Sequence, residues 1–268
     1  MLAASPCDFN ALFSKNVPHI LEKIFFSLDY ESFKACLEVS KSWKGMLTSE
    51  YFKVKSKSVF LDEILKIILK ASREGKVQEI RSLFSSGICD RNCINLDDNN
   101  SSDVPLCVAA KNGHGNVVQL LLDNGADLNK RDNYGITPLN RAGATPLHWA
   151  AEEGHKDVVK LLIVRGADPN QGVGEVEWTP LQKAAYHRHK GVAQILIDGG
   201  ASTNIADKYG RTPLHWAAAF GQRDLVEILL DAGADPEREC VEDGETPLHW
   251  AADEGHQDVV KLLIERGG

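Results

Sequence analysis

The stretch Thr212-Pro213-Leu214-His215-Trp216-Ala217-Ala218 decides the architecture, because the chain returns to it at a fixed interval. Residues 145–151 and 246–252 repeat it letter for letter, and Thr179-Pro180-Leu181-Gln182-Lys183-Ala184-Ala185 repeats it with two changes. The copies start 33 or 34 residues apart. Each runs on into a Gly-His pair or its equivalent, an amphipathic stretch and a turn, as in Gly154-His155-Lys156-Asp157-Val158-Val159-Lys160-Leu161-Leu162-Ile163 followed by Arg165-Gly166-Ala167-Asp168-Pro169-Asn170. A period of this length marks a small helical unit that cannot bury its apolar face alone and must stack on its neighbours.

The residue types within the period fit that reading. Thr212 offers a hydroxyl at a helix start, and Pro213 follows at the first helical position, where a missing N–H costs nothing. Ala217 and Ala218 keep the helix thin enough for close stacking. His148, His215 and His249 fall in successive units and do not converge on one point, which makes them bridges between turns and not a metal or catalytic cluster. Gly154, Gly221 and Gly255 end first helices, and Gly125, Gly166 and Gly233 end second helices, each supplying a positive φ. Trp149, Trp216 and Trp250, inside the repeated heptad, are expected to pack between units. Asn129, in Asp127-Leu128-Asn129, is expected to stabilise its hairpin.

This period with its Thr-Pro-Leu-His-x-Ala pattern resembles the ankyrin-repeat family over about residues 61–268. The resemblance implies an all-α-dominated solenoid of helix-turn-helix units joined by hairpin fingers, which binds proteins through finger tips and first helices. Reading backwards, Pro105-Leu106-Cys107-Val108-Ala109-Ala110 with Gly113-His114 is an eroded copy, and residues 71–87 are a fainter one, expected to cap the array. That makes about six units. One step is irregular: Thr137-Pro138-Leu139 keeps the period, yet Thr145 follows only eight residues later. The step is either a finger lengthened between residues 138 and 145 or a unit that lost 25 of its 33 residues, and a continuous stack with an irregular loop around residues 140–143 is expected, since a break would expose two apolar faces.

Residues 1–60 lack the period and carry 8 Lys against 6 acids, whereas the remaining 208 residues carry 22 Lys and Arg against 32 acids. Their apolar residues Leu21, Ile24, Phe25, Leu28, Phe33, Leu37, Trp43 and Leu47 recur at helical spacing, a larger load than about 40 residues can bury alone. The run Val17-Pro18, Ile24-Phe25-Phe26-Ser27-Leu28-Asp29 and Val39-Ser40-Lys41-Ser42-Trp43 resembles an F-box over residues 15–50. A three-helix F-box-like module over 1–60, ahead of the ankyrin-repeat domain at 61–268, is therefore expected. That resemblance implies that Pro18, Leu21, Ile24, Phe25, Leu28, Val39 and Trp43 dock a Skp1-like adaptor of a cullin ubiquitin ligase.

With 43% hydrophobic and 25% charged residues the chain reads as globular, and its apolar runs are too short for a membrane span. Net charge −8 disfavours nucleic acid as a partner. Six cysteines without paired spacing point to a reducing compartment, cytoplasmic or nuclear. No phosphate loop, nucleophile elbow or zinc signature occurs, so no enzyme activity, cofactor or metal is expected. His187-Arg188-His189-Lys190 reads as a solvated turn. The binding candidates are the aromatic residues Tyr134, Tyr186, Tyr209 and Phe220, with His187 and Arg211. The acids Glu152, Glu153, Asp253 and Glu254 would surround them and select a basic protein partner. The expected function is substrate recognition for a Skp1-cullin-F-box ligase. A non-ligase ankyrin scaffold or inhibitor, and a bacterial or viral effector mimicking a host F-box, remain alternatives.

Overall fold

The computed structural model describes residues 57–85, 89, 94–95, 103–131, 143–241 and 243–267. The F-box-like run, Tyr134 and Thr137-Pro138-Leu139 lie outside them. Two compact units divide the chain, Met1–Ile67 and Ile68–Gly268, and the second carries the repeats. Among the described residues there are twelve helices and no strand: α1 Lys57–Glu74, α2 Val77–Ser85, α3 Pro105–Lys111, α4 Gly115–Asp123, α5 Pro146–Glu152, α6 Lys156–Val164, α7 Pro180–Tyr186, α8 Lys190–Asp198, α9 Pro213–Ala219, α10 Arg223–Asp231, α11 Pro247–Asp253 and α12 Gln257–Glu265.

From α3 onward each unit is a seven-residue helix followed by a nine-residue one. Every short helix opens on proline after an extended residue, as the missing N–H and fixed φ of proline require. The long helices bury one stripe, for example Val158, Val159 and Leu162 in α6 or Leu225, Val226 and Leu229 in α10. That i, i+1, i+4 spacing is one face of a helix. Short helices α3, α5, α7, α9 and α11 pack in order, and long helices α4, α6, α8, α10 and α12 pack in a parallel row. Leu106, Leu147, Leu181 and Leu214 fill the same fully buried place in successive units.

Polar side chains tie each unit to the next. The third residue of a short helix clasps the following finger: His148 Nε2 donates to Gln171 O and Trp178 O at 3.0 and 3.1 Å, and Gln182 Nε2 to Ile205 O and Arg211 O at 3.4 and 2.7 Å. His215 Nε2 reaches Glu245 O at 3.3 Å. Behind the rings, the hydroxyls of Thr145, Thr212 and Thr246 meet Nδ1 of His148, His215 and His249 at 2.7, 2.9 and 2.9 Å. The histidines at 148 and 215 are thus bridges, as their spacing suggested. Burial pushes their pKa values down to about 3 and about 4, so both rings stay neutral.

Cys107 takes the clasp position in α3, and its thiol faces Lys130 O and Ala144 O, each at 3.6 Å. These two carbonyls lie fourteen positions apart, against seven for Gln171 and Trp178 and six for Ile205 and Arg211. The Cys107 thiol thus faces one carbonyl on each side of the irregular step, as His148 and Gln182 do across the fingers they clasp. Val104, Cys107, Ala144 and Trp149 close the junction in a shared apolar cluster, and α3 lies on α5 as α4 lies on α6. The stack is continuous past the step.

A further series joins the fingers. Asn95, Asn170 and Asn204 donate to the carbonyls of Gly125, Gly200 and Gly233 at 3.1, 3.0 and 2.8 Å, and accept from the next N–H groups of Asp127, Ser202 and Asp235. Asn129, at the corresponding place ahead of α5, makes no such bond to Gly166 or Asp168. It is the asparagine of this series that precedes the irregular step.

Candidate protein-recognition face

The C-terminal ends of α5, α7, α9 and α11 lie side by side, and the residues there are the ones the period leaves free to vary. In α7 the Trp that α5, α9 and α11 share is replaced by Lys183, and a tryptophan from the preceding finger, Trp178, lies beside it. Lys183 Nζ stands 5.0 Å above the Trp178 ring. Trp178 in turn lies 5.3 Å from Trp216, which lies 5.4 Å from Trp250. Tyr186 rests on three of its neighbours at once, 5.1 Å from Trp178, 5.0 Å from Trp216 and 5.4 Å from Phe220. These separations and tilted planes suit aromatic quadrupoles. The result is one tract of five rings, Trp178, Tyr186, Trp216, Phe220 and Trp250, with Tyr186 38% exposed.

One buried carboxylate orients the near edge of that tract. Asp207 Oδ2 accepts from Trp178 Nε1 at 3.2 Å and from Arg211 Nε at 2.7 Å, while Oδ1 accepts from the backbone N–H groups of Tyr209 and Arg211 at 2.9 and 3.0 Å. Its side chain is fully buried. A buried charge held by four donors is a satisfied one. Fixed in this way, the Arg211 guanidinium bridges two rings, 4.6 Å from Tyr209 and 4.7 Å from Trp216.

Tyr186 and Phe220 therefore meet, and Tyr209 is linked to the tract through Arg211. The expected acidic ring is open on one side alone. Glu152 is engaged by Lys183 at 2.8 Å, with His187 3.9 Å away. Burial holds the His187 imidazole below its usual range despite that carboxylate, so lysine supplies the balancing charge. Glu153 is exposed beyond this pair. Asp253 and Glu254, by contrast, border an open cleft of about 590 Å3 with Arg188, Trp216, Phe220 and Trp250. Trp216 and Trp250 thus pack between units and also present ring surface to the cleft. Sequence reading missed Trp178, Lys183, Arg188 and Asp207. The signal for two of them was the pair of changes in the Thr179 heptad and the tryptophan just before it.

Among the described residues no three His, Cys, Asp or Glu side chains converge to hold a metal ion, and no helix is long and apolar enough to cross a membrane. The face offers aromatic area, fixed cations and open carboxylates, the materials of protein recognition.

Comparison with known proteins agrees with this architecture. Residues 62–173 and 147–240 match the family model for ankyrin repeats in three copies, and residues 243–268 match that for an ankyrin repeat. A 40-residue stretch is 55% identical to an ankyrin repeat protein of Rickettsia bellii (strain RML369-C), covering 15% of this chain and 17% of that relative. A 79-residue stretch is 35% identical to ankyrin repeat and MYND domain-containing protein 1 of Mus musculus, covering 30% of this chain and 8% of that relative. The matches thus span less than a fifth of either relative's length. With the family match running through nearly all of residues 62–268 and the stacked helix pairs in register with it, the chain belongs to the ankyrin-repeat family.

Proposed function

We propose that this protein is a substrate-recognition adaptor of a Skp1-cullin-F-box ubiquitin ligase. Residues 15–50 dock the ligase, and the face formed by α7, α9 and α11 holds the protein to be modified. Its contribution is placement of a substrate and not bond chemistry. The observation that supports the substrate half is the five-ring tract from Trp178 to Trp250. Aromatic area of this kind, bordered by arginines and carboxylates, dominates the energetics of protein interfaces. The ligase half rests on the ordered run from Val17-Pro18 through Ile24-Phe25-Phe26-Ser27-Leu28-Asp29 to Trp43. So large an apolar load in about 40 residues needs a covering partner.

Co-purification with Skp1 tests the ligase half. Leu28→Ala with Trp43→Ala should abolish it, each truncation removing about 2 kcal/mol or more, while the thermal transition of the repeats stays unchanged. A parent chain that does not bind Skp1 would leave a plain ankyrin scaffold as the function. In cells, a protein recognised by the face should accumulate when Tyr186→Ala and Phe220→Ala are introduced together, with Skp1 binding retained.

A further inference from the structure

Five times in this stack a side chain just ahead of a long helix reaches back to the carbonyl near the end of the preceding unit's first helix. His114 bonds Arg73 O, His155 bonds Lys111 O, His189 bonds Glu152 O and His256 bonds Ala219 O, at 2.9, 2.9, 2.9 and 3.0 Å. Each ring packs against a glycine of that unit. A Cβ on Gly75, Gly113, Gly154 or Gly221 would come within 2.8, 2.6, 2.7 or 2.6 Å of the facing imidazole, closer than real Cβ contacts allow. The fifth rung breaks both halves of the rule together. Arg188 stands where the others have glycine, in the left-handed region at φ 63, and in place of the histidine is Gln222, whose amide reaches Ala185 O, one residue earlier than the histidine pattern, at 2.7 Å.

The two exceptions compensate each other, so the arginine is not an accident of a loose turn. A non-glycine residue at positive φ is unfavourable and persists where it does something else. What Arg188 does is lay its guanidinium 4.8 Å from the centre of the Phe220 ring, at the edge of the cleft. Among the described residues it pairs with no carboxylate, whereas Arg73, Arg165, Arg211 and Arg266 each do. Across the cleft, Asp253 and Glu254 have no cationic partner among the described residues. Between them, Trp216, Phe220 and Trp250 line the cleft with ring surface.

We infer that the cleft binds an extended segment of a partner protein carrying a carboxylate side chain for Arg188 and a basic side chain for Asp253 and Glu254. Arg188 sets the specificity. This rests on the reading of the α7, α9 and α11 face as the recognition surface. It sharpens the expectation of a merely basic partner: opposite charges at the two ends of the cleft call for a segment with both, in a fixed order.

The rung itself supplies a clean test variant. Arg188→Gly with Gln222→His rebuilds the Gly-His pair used elsewhere and removes the guanidinium, so its thermal midpoint should equal or exceed that of the parent. A phage-displayed library of random linear peptides, selected on the full chain, should enrich an acidic and a basic residue at constant spacing. The synthesised peptides, measured by fluorescence anisotropy, should bind the double variant about tenfold or more weakly, the loss expected for a charge-assisted hydrogen bond. Selection on the double variant should drop the acidic residue alone, and Asp253→Lys with Glu254→Lys should drop the basic one. Parent affinity in the double variant, with binding still lost in Phe220→Ala, would overturn the role of Arg188 and leave the face reading intact. Peptides indifferent to Phe220→Ala as well, or no enriched peptides, would overturn both.

Discussion

Helices α5 and α7 are built from the same heptad and differ in what they are free to do. Both begin Thr-Pro-Leu, both bury their leucine completely, both carry Ala-Ala, and both clasp the next finger with the third helical residue. They part mainly towards their C-terminal ends, on the side that carries the ring tract. Trp149 becomes Lys183, Glu152 becomes Tyr186, Glu153 becomes His187 and Gly154 becomes Arg188. The comparison separates the positions that make the stack from the positions that face a partner. Where a local rule is broken at positive φ, as at Arg188, the break comes with a matching change next door and an exposed charge. Rule-breaking of that kind marks function more than error.

The largest expected effect is shared by both helices. Leu147→Ala and Leu181→Ala should each cost about 2–5 kcal/mol in urea unfolding, because both side chains are fully buried in a close-packed interior. A much smaller cost at Leu181 would show that α7 is not a framework helix. The next effect distinguishes the two. His148 is held neutral in the folded chain with its pKa at about 3, and His215 with its pKa at about 4, against about 6.5 when unfolded. The unfolded chain therefore takes up protons first as pH falls. Stability is constant above about pH 6.5 and is lost below it, by roughly 2 kcal/mol for each ring at pH 5. Gln182 does the same bonding without titrating. His148→Gln with His215→Gln should flatten the stability profile between pH 6.5 and 5 and change little at pH 7.5; an unchanged slope would mean the loss arises elsewhere.

A smaller effect is expected at the exceptional rung. Arg188→Gly alone should stabilise the fold by about 1 kcal/mol through relief of the positive φ. Gln222→His alone should destabilise it, and the pair should be non-additive in a double-mutant cycle. The smallest is at the irregular step. Deleting residues 135–142 would bring Lys130 and Ala144 to six positions apart, the spacing found between Ile205 and Arg211. Because loop closure changes by only about 0.6 kcal/mol per doubling of length, one cooperative transition with nearly the same midpoint is expected. Separate melting of the two flanks in the parent would contradict the continuous stack.

The stack was legible in the sequence because its determinants are local and periodic. Pro at the first helical turn, glycine at positive φ and the i, i+1, i+4 apolar stripe all act within one unit, and each recurs in register. The histidine bridges were legible for the same reason. The face was only half legible. Tyr186 and Phe220 could be placed from their register, but the neighbours that complete the tract come from fingers, whose fold is set by contacts between units. Asp207 orients Trp178 and Arg211 across 29 and 4 positions respectively. Glu152 loses its availability to a lysine in the next unit, which no single-unit reading of charge could reveal. Continuity across the irregular step depends on contacts between units, α3 on α5 and α4 on α6, which no single-unit pattern encodes.

The central claim is that partners meet the tract on the short helices and not the long helices behind it. A photo-crosslinking residue placed at Tyr186, 38% exposed on α7, can be compared with one at Val164, 75% exposed at the end of α6. Both would be carried by the full chain in cells that express it. Light-dependent adducts with a defined protein are expected from position 186 and not from 164, and they should disappear when Trp216→Ala and Phe220→Ala are added. Equal adducts from position 164, or adducts from 186 that survive loss of both rings, would contradict the account.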